Sequence, residues 1–340
     1  MNPKVAIVIL NWNGKFYLES FLPSVYNSSY PNIEFVIGDN ASTDDSVAFI
    51  RETYPLIKVI ENDQNYGFAE GYNRILKQVE ADYFILLNSD VEVKTDWIEP
   101  VIAAMESDQK IAVAQPKLLS WTNRKSFEHA GAAGGFIDSH GYPFCRGRLF
   151  DTVEMDQGQY NDSGEIFWAS GAAFFIRARL WRESGGFDRD FFAHMEEIDL
   201  CWRLKRMGYK IWYCAGSEVY HIGGGTLDKS NPRKTYLNFR NNLYMVQKNA
   251  RRPIWTVFKR FWLDFAALLQ FAFSGKFEDA KAISKAHVDF LTNYRKTQKK
   301  RTEVAAGFEV GQVYPRLLVW DYFILRKRHF SALGIEKLKG

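Results

Sequence analysis

Four short apolar runs, "VAIVIL" (5–10), "EFVIG" (34–38), "KVIE" (58–61) and "YFILL" (83–87), each stop at a cluster of Asn and Asp. The clusters are Asn11 and Asn13, Asp39 and Asn40, Asn62 to Asn65, and Asn88 to Asp90. Between the runs lie helix-like stretches: "GKFYLESFLPSVYN", "STDDSVAFIRETY" with its Ser/Thr/Asp start, and "AEGYNRILKQVEA". Continuous apolar strands alternating with helices predict a parallel, doubly wound α/β sheet. In such sheets a ligand occupies the crevice beyond the carboxyl ends of the strands. Asn and Asp are common turn residues, which accounts for any one cluster. Four clusters at four strand ends point to one polar pocket.

Residues 115–195 are richer in Gly and aromatics, lack a helical period, and read as strands and long loops, "IFWASGAAFFIRARLW" included. "MEEIDLCWRLKRMGY" predicts a short helix ending near Gly208, and "KIWYCAGSEVYHIGGGT" a strand running into a glycine-rich loop. From about residue 235 the pattern is helical to near the end. A chain of 340 residues holds one large domain and an appendage. The expected division is residues 1–245, in halves 1–114 and 115–245, followed by 246–340. Cys145, Cys201 and Cys214 are odd in number and form no CxxC pair, so they read as reduced thiols. "MNPKVAIVILNWNG" lacks the features of a secretory leader. No apolar stretch reaches the roughly 18 residues of a spanning helix. A cytoplasmic protein is expected.

Individual residues suggest chemistry. Asp39 can accept a hydrogen bond from a pyrimidine N3–H, provided Ser42 or Asp44 caps the helix expected near Thr43. Gly67 and Gly71, opening a helix, let backbone approach an anionic ligand. Asp90 offers one carboxylate. That suffices for Mg2+, which typically takes only one or two carboxylates plus phosphates and waters. Glu92 shares its side only if the strand continues. In "HMEEIDLCWR", Glu196 and Asp199 share a helix face while Glu197 points elsewhere, and Asp199 can form an ordinary i,i+4 pair with Arg203. A carboxylate whose pKa is raised by burial and neighbouring acids suits proton abstraction.

Five blocks in order, "VILNWNG", "IGDNASTDDS", "NYGFAEGYNRIL", "LLNSDVEV", and "GGFDRDFFAHMEEIDLCWR" with "EVYHIGGG", carry a resemblance across roughly residues 4–245. The chain resembles the inverting family 2 glycosyltransferases of GT-A fold, and especially the rhamnosyltransferase-like members that build bacterial surface polysaccharides. The resemblance implies a mixed, mainly parallel sheet with flanking helices and a helical C-terminal extension. It also implies that Asp39 contacts the nucleoside base, flanked by Leu10 and Asn11, with Asn13 and Asn40 nearby. Asn65, Gly67, Phe68 and Asn73 become donor-side residues. Asn88, Ser89 and Asp90 occupy the metal motif usually written Asp-x-Asp, so Asn88 is a departure, and His221 matches the position of a further metal ligand. The resemblance makes Glu197 the general base, with Glu196 as the alternative and Asp199 as its support or an acceptor contact. Trp168, Ser170 and Gly171, with Phe187 and Asp188, match the acceptor side, where Trp168 either stacks on a sugar or packs in the core. The implied reaction takes a nucleoside-diphosphate sugar, dTDP-rhamnose or a UDP-hexose, with Mg2+ or Mn2+, and delivers the sugar to a glycan or lipid-linked acceptor. Two rival readings are a nucleotidyltransferase-like enzyme using the same pocket and a non-catalytic glycan- or membrane-binding homologue.

Charge divides the chain. Residues 251–340 carry 18 Lys and Arg against 8 Asp and Glu, and residues 1–250 carry 26 against 32. In "IWTVFKRFWLDFAALLQFAFSG" the polar residues Thr256, Lys259, Arg260, Asp264, Gln270 and Ser274 fall within an arc of about 140°. Trp255, Phe258, Trp262, Phe265, Leu269 and Phe273 line the other side. That apolar face either packs on the catalytic domain or lies in a bilayer interface, helped by "RKTQKKR" and "RKRH". The second alternative would make the protein peripheral on the inner face of the cytoplasmic membrane. The acidic body and the absence of a recognised module argue against nucleic-acid binding.

Overall fold

The structure, a computed structural model, describes residues 2–223, 231–301 and 310–335. The first half runs β1 (Val5–Asn11), α1 (Lys15–Tyr26), β2 (Ile33–Asp39), α2 (Ser46–Thr53), β3 (Lys58–Glu61), α3 (Gly67–Leu76), β4 (Tyr83–Leu87), β5 (Val91–Val93) and α4 (Glu99–Ser107). Then come β6 (Ile111–Ser120), β7 (Gly135–Asp138), β8 (Pro143–Cys145), β9 (Arg148–Leu149), β10 (Thr152–Val153), β11 (Gly164–Ile166), β12 (Ala173–Arg177), α5 (Ala178–Ser184), α6 (Glu196–Arg206) and β13 (Lys210–His221). The remainder is α7 (Pro232–Asn249), α8 (Pro253–Phe273), α9 (Phe277–Thr292), α10 (Tyr294–Lys299), β14 (Val313–Tyr314) and α11 (Leu318–Phe323).

The central sheet has nine strands in the order β11-β13-β6-β12-β4-β1-β2-β3, with β5 added on β13. Strands β1 to β4 are parallel, as their continuous apolar runs require: every residue of β4 is buried because both faces are covered. The register sets Asn11 opposite Asp39, Asp39 opposite Glu61, and Ile9 opposite Leu87, so the polar clusters share one edge of the sheet. Strand β12 is antiparallel to β4 and β6, and β13 returns parallel to β6. One core, including Leu18, Leu22, Trp97 and Ile102, lies under α1 and α4; the other, including Tyr72, Ile75, Leu200 and Leu204, lies under α3 and α6. All three cysteines are buried and free.

Three local expectations are corrected. Strand β12 passes directly into α5, a helix closed by Gly185 at φ 78°, where only strands and loops were expected. The tail is helical through Lys299, and among the described residues beyond it only the short α11 and a single turn at Phe330–Leu333 are helical. Strand β14 joins β7 to complete a five-stranded sheet (β10-β9-β8-β7-β14), and Phe330 packs into an aromatic cluster with Phe136, Phe144 and Tyr160. Helix α8 has the expected two faces, but its buried residues are Arg260 and Asp264 of the polar arc, with Val257. Arg260 lies 3.5 Å over the Tyr142 ring and pairs with Asp264 at 2.9 Å, and Asp264 also pairs with His287 at 3.1 Å. The apolar arc faces solvent, which overturns the alternative that it packs on the domain. Gly224 and Gly225 of the expected glycine loop lie outside the described residues.

Candidate active site

The strand ends build the pocket floor from side-chain amides. Asn11 Nδ2 donates to Asp39 Oδ1 (2.9 Å), Ser46 Oγ (2.8 Å) and Ser42 Oγ (3.1 Å). Asn13, at φ 51°, accepts on Oδ1 from the Thr43 N–H (2.7 Å) and so fixes the loop above. Asn62 Nδ2 donates to Asn40 Oδ1 (2.8 Å), and Asn40 Nδ2 donates to Gly67 O (2.9 Å). Asn65 Oδ1 receives the Gly67 N–H (2.9 Å). Leu10 lies half-buried beside Tyr72, whose hydroxyl sits 3.4 Å from its N–H.

Asp39 was expected to be free. It is instead buried, and Ser42 holds it by its N–H (2.8 Å) and hydroxyl (2.6 Å). Only Oδ2, with a single partner, has room for a base. Asn73 is a further correction. Its amide grips Phe187 from both sides, accepting the N–H (3.0 Å) and donating to the carbonyl (2.8 Å), which ties α3 to the turn before α6. Asn73→Ala is therefore expected to lower stability by about 1–3 kcal/mol, by leaving two backbone groups unpaired, with donor affinity unchanged; urea unfolding and nucleotide titration check the two halves. Phe68 packs on Tyr72 and Phe187, and a Cβ on Gly171 would stand 3.4 Å from its ring.

Beyond β4, Asn88 is anchored by its N–H to Ala172 O (3.0 Å), and half-buried Ser89 follows. Asp90 Oδ1 lies 3.1 Å from His221 Nε2, so residues 131 apart in sequence meet, because β13 returns beside β5. Asn88 Nδ2 lies 3.4 Å from the same nitrogen. Behind the ring, Glu128 Oε1 stands 3.5 Å from Nδ1. Burial opposes a charge on His221, but Glu128 and Asp90 outweigh it and push its pKa up to about 10. No group of three or more His, Cys, Asp and Glu is arranged to hold a metal among the described residues. Asp90 and His221 nevertheless stand side by side with a carboxylate behind the ring, and a cation that displaced the imidazole proton would meet one carboxylate and one ring nitrogen. This donor set fits a divalent cation whose other ligands are phosphate oxygens and water. Glu92 is excluded, since it pairs with Arg124 (2.7 Å) and Trp121 (2.8 Å).

The third component is the amino end of α6. Phe192, His194 and Met195 hold positive φ values of 65°, 69° and 73°, and Asn241 of α7 fixes this strained turn. Its amide donates to the carbonyls of Phe191 (2.9 Å), Ala193 (2.9 Å) and His194 (2.7 Å). The turn delivers Glu196 and Glu197 as the first helical residues. Each has an Oε2 that is buried with no hydrogen-bond partner among the described residues. Burial pushes the Glu197 carboxyl up to about 7 against backbone N–H groups that pull it down; burial and the Glu197 charge raise Glu196 well above the usual range. Glu196 is buried and Glu197 half-buried, so Glu197 is the more accessible of the two.

Four residues fail as acceptor contacts here, although the expected pair between Asp199 and Arg203 is present. Asp199 is completely buried, accepting from Arg203 Nε (3.0 Å), Lys248 Nζ (2.8 Å) and Asn249 Nδ2 (2.8 Å), and no oxygen remains for an acceptor. Asp188 is buried between Lys248 (2.7 Å) and Lys300 (2.5 Å); burial alone would raise its carboxyl, but the two ammonium groups hold it well below the usual range. Trp168 is core: Nε1 donates to Phe136 O (2.9 Å), and its ring covers Gly135 so closely that a Cβ there would sit 2.1 Å away. Ser170 is likewise turned inward, its hydroxyl on Ala130 O (2.6 Å). Sequence reasoning missed Glu128, Asn241 and Lys248. Only Glu128 left a trace, as an acid within an otherwise apolar and glycine-rich stretch.

The chain is similar to known proteins. The chain is 22% identical over 236 residues to the N-acetylglucosaminyl-diphospho-decaprenol L-rhamnosyltransferase of Mycobacterium tuberculosis, covering 65% of this chain and 76% of that protein. It is 22% identical over 247 residues to the low-salt glycan biosynthesis hexosyltransferase Agl10 of Haloferax volcanii, covering 70% and 73%. Among solved structures, the mannosyltransferase PcManGT from Pyrobaculum calidifontis, in complex with GDP-Man and Mn2+, superposes with a TM-score of 0.52 at 16% identity over 88% of this chain and 84% of that one. GalNAc-T7 with UDP, GalNAc and Mn2+ gives 0.56 at 17% over 72% and 48%. These structural likenesses show a shared GT-A fold. The family model "Glycosyl transferase family 2" matches residues 6–177, from β1 to the end of β12. The chain belongs to glycosyl transferase family 2.

Proposed function

We propose that this protein transfers a sugar from a nucleoside-diphosphate donor, dTDP-rhamnose or a UDP-hexose, to a glycan or lipid-linked acceptor, inverting the anomeric centre, in cell-surface polysaccharide synthesis. The relatives named above, one of which carries a decaprenol-linked substrate in its name, support the substrate class. The observation that carries the chemistry is the Glu197 carboxyl, half-buried at the start of α6, unpartnered on Oε2, and raised toward neutrality. It would take the proton of the acceptor hydroxyl as that oxygen bonds to the anomeric carbon. The bond from that carbon to the diphosphate breaks, and its electron pair leaves with the diphosphate. Glu196 would keep a proton and so spare the pair a second negative charge. Asp39 Oδ2 and the amide floor from Asn11 to Asn65 would orient the nucleoside; the Gly67 backbone, expected to meet an anionic ligand, is instead covered by Phe192 and paired with Asn65 and Asn40, and has no part in this reading.

A divalent cation, Mg2+ or Mn2+, held by Asp90 and His221, would neutralise charge on the leaving diphosphate. Asn88 would serve this site by its amide contact with His221. A nucleotidyltransferase would share the strand-end pocket but gives no role to the paired acids of α6. The deciding experiment is a binding and hydrolysis screen of UDP-, dTDP- and GDP-sugars with and without Mn2+ or Mg2+. Metal-dependent binding of one class is expected, and its loss in His221→Ala with the fold retained. A chain that binds no nucleotide sugar under either condition would overturn the assignment.

A further inference from the structure

The exposed arc of α8 has no role in the transfer chemistry, yet it is not a scatter of surface apolar residues. Trp255, Phe258, Trp262, Phe265 and Phe273 recur every three or four residues or a multiple of that turn, and Trp255, Trp262 and Phe273 are 66%, 65% and 87% exposed. A contiguous exposed apolar stripe marks an interaction surface. Beside it an apolar groove of about 520 Å³ runs between α8 and α9, lined by Ile254, Val257, Phe258, Phe261, Trp262 and His287. Exposed Val288 and Leu291 extend the face along α9. A second apolar patch, Trp320, Phe323, Ile324 and Leu325, stands exposed at α11, immediately before Arg326, Lys327 and Arg328. The turn at residues 138–142 touches the buried sides of both helices: Asp138 Oδ2 accepts the Leu318 N–H (2.9 Å), and Tyr142 lies under Arg260 of α8.

Charge identifies what covers this face. Exposed Arg251, Arg252 and Lys259 flank the stripe at the start of α8, and Lys276 and Phe277 at its end. The tail has an excess of cations while the preceding 250 residues have an excess of anions, so an anionic surface attracts one side of the molecule and repels the rest. Trp and Phe on one helix face, with Lys and Arg at its margins, is the composition of a helix lying in a membrane interface. No helix among the described residues is long and apolar enough to cross a membrane, so contact would be at the surface. A second copy of this chain would bring the same cations together.

We propose that the face formed by α8, α9 and α11 docks the protein on an anionic phospholipid bilayer, the aromatic stripe and groove among acyl chains and the basic residues at the headgroups. The docking does not depend on the transfer reaction. It does bear on it, because α9 is fastened to α7 by Thr235–Asp279 (2.6 Å) and Tyr236–Asp289 (2.5 Å), and α7 holds the turn before Glu197 through Asn241. A lipid-linked acceptor would meet the base with its lipid still in the bilayer.

The test is co-sedimentation of the full chain with vesicles of phosphatidylglycerol and phosphatidylcholine, compared with phosphatidylcholine alone. Binding is expected to the anionic vesicles, to weaken as salt is raised, and to fall roughly tenfold in Trp255→Ser/Trp262→Ser as two aromatic side chains leave the interface. Both residues are exposed, so circular dichroism and nucleotide binding should be unchanged in the variant. The native chain failing to bind anionic vesicles would overturn the proposal, as would undiminished binding by the variant. A dimer that the same substitutions dissociate, without vesicle binding, would assign the face to a second copy instead.

Discussion

Glu197→Gln is expected to lower kcat by roughly 10²–10⁴-fold, the contribution typical of a positioned general base, with donor affinity and fold retained. The amide keeps the shape of the carboxylate but cannot take a proton. In the native enzyme the pH profile should share this origin. Burial raises the folded-state pKa of Glu197 to about 7, and the base works only when ionised, so kcat should climb as pH rises through about 7 and then level off. Linkage acts in the opposite direction on stability. A carboxyl whose pKa is raised on folding stabilises the fold at low pH. That contribution is lost as pH rises from the ordinary glutamate value of 4.5 to about 7. Glu197→Gln should therefore flatten both the activity rise and part of the stability fall. Glu196→Gln, by contrast, should retain the rise with pH. The same rise in Glu197→Gln, with near-native kcat, would remove Glu197 from the base role.

The parts of this site that were legible in sequence depend on local rules. The runs of β1 and β4 are strands buried on both faces, β3 at the sheet edge buries only Ile60, and each run ends at or just before a cluster of Asn and Asp, so the crevice can be placed from this pattern. The convergence of Asp90 with His221 required the family resemblance, since nothing local joins residues so far apart. Glu128 stood out as an acid in the sequence, but not its partner: it reaches His221 only through the hairpin that sets Phe127 opposite Leu119 beside β13. Trp168 and α8 failed for another reason. Amphipathic spacing defines two faces of a helix but not which is buried, and in α8 the Arg260–Asp264 pair, with Tyr142 and His287, turns that part of the polar arc inward and leaves the apolar arc outside. Trp168 offered a flat ring that suits a sugar or a core equally, and Gly135, with no side chain, left room for the core.

Asp199→Ala is expected to destabilise the protein by about 3–5 kcal/mol, as removal of one partner from a buried ion pair does. Its carboxylate is completely buried against Lys248, Arg203 and Asn249. Lys248 is itself buried and would keep only Asp188, already shared with Lys300. Arg203 would retain the Ser184 and Gly186 carbonyls, at 2.7 and 2.6 Å, but no anion. Asp199→Asn should also destabilise, because it removes the charge without vacating the space. Urea unfolding measures both losses. Turnover per folded molecule, taken well below the transition, separates a structural role from a catalytic one. Lys248→Met should recover part of the stability lost in Asp199→Asn, since the double variant no longer buries an uncompensated ammonium. That coupling is expected because Asp199 fastens α6 to α7, and with it the turn that Asn241 holds before Glu197. A variant that unfolds like the native chain yet turns over slowly would instead return Asp199 to the reacting groups.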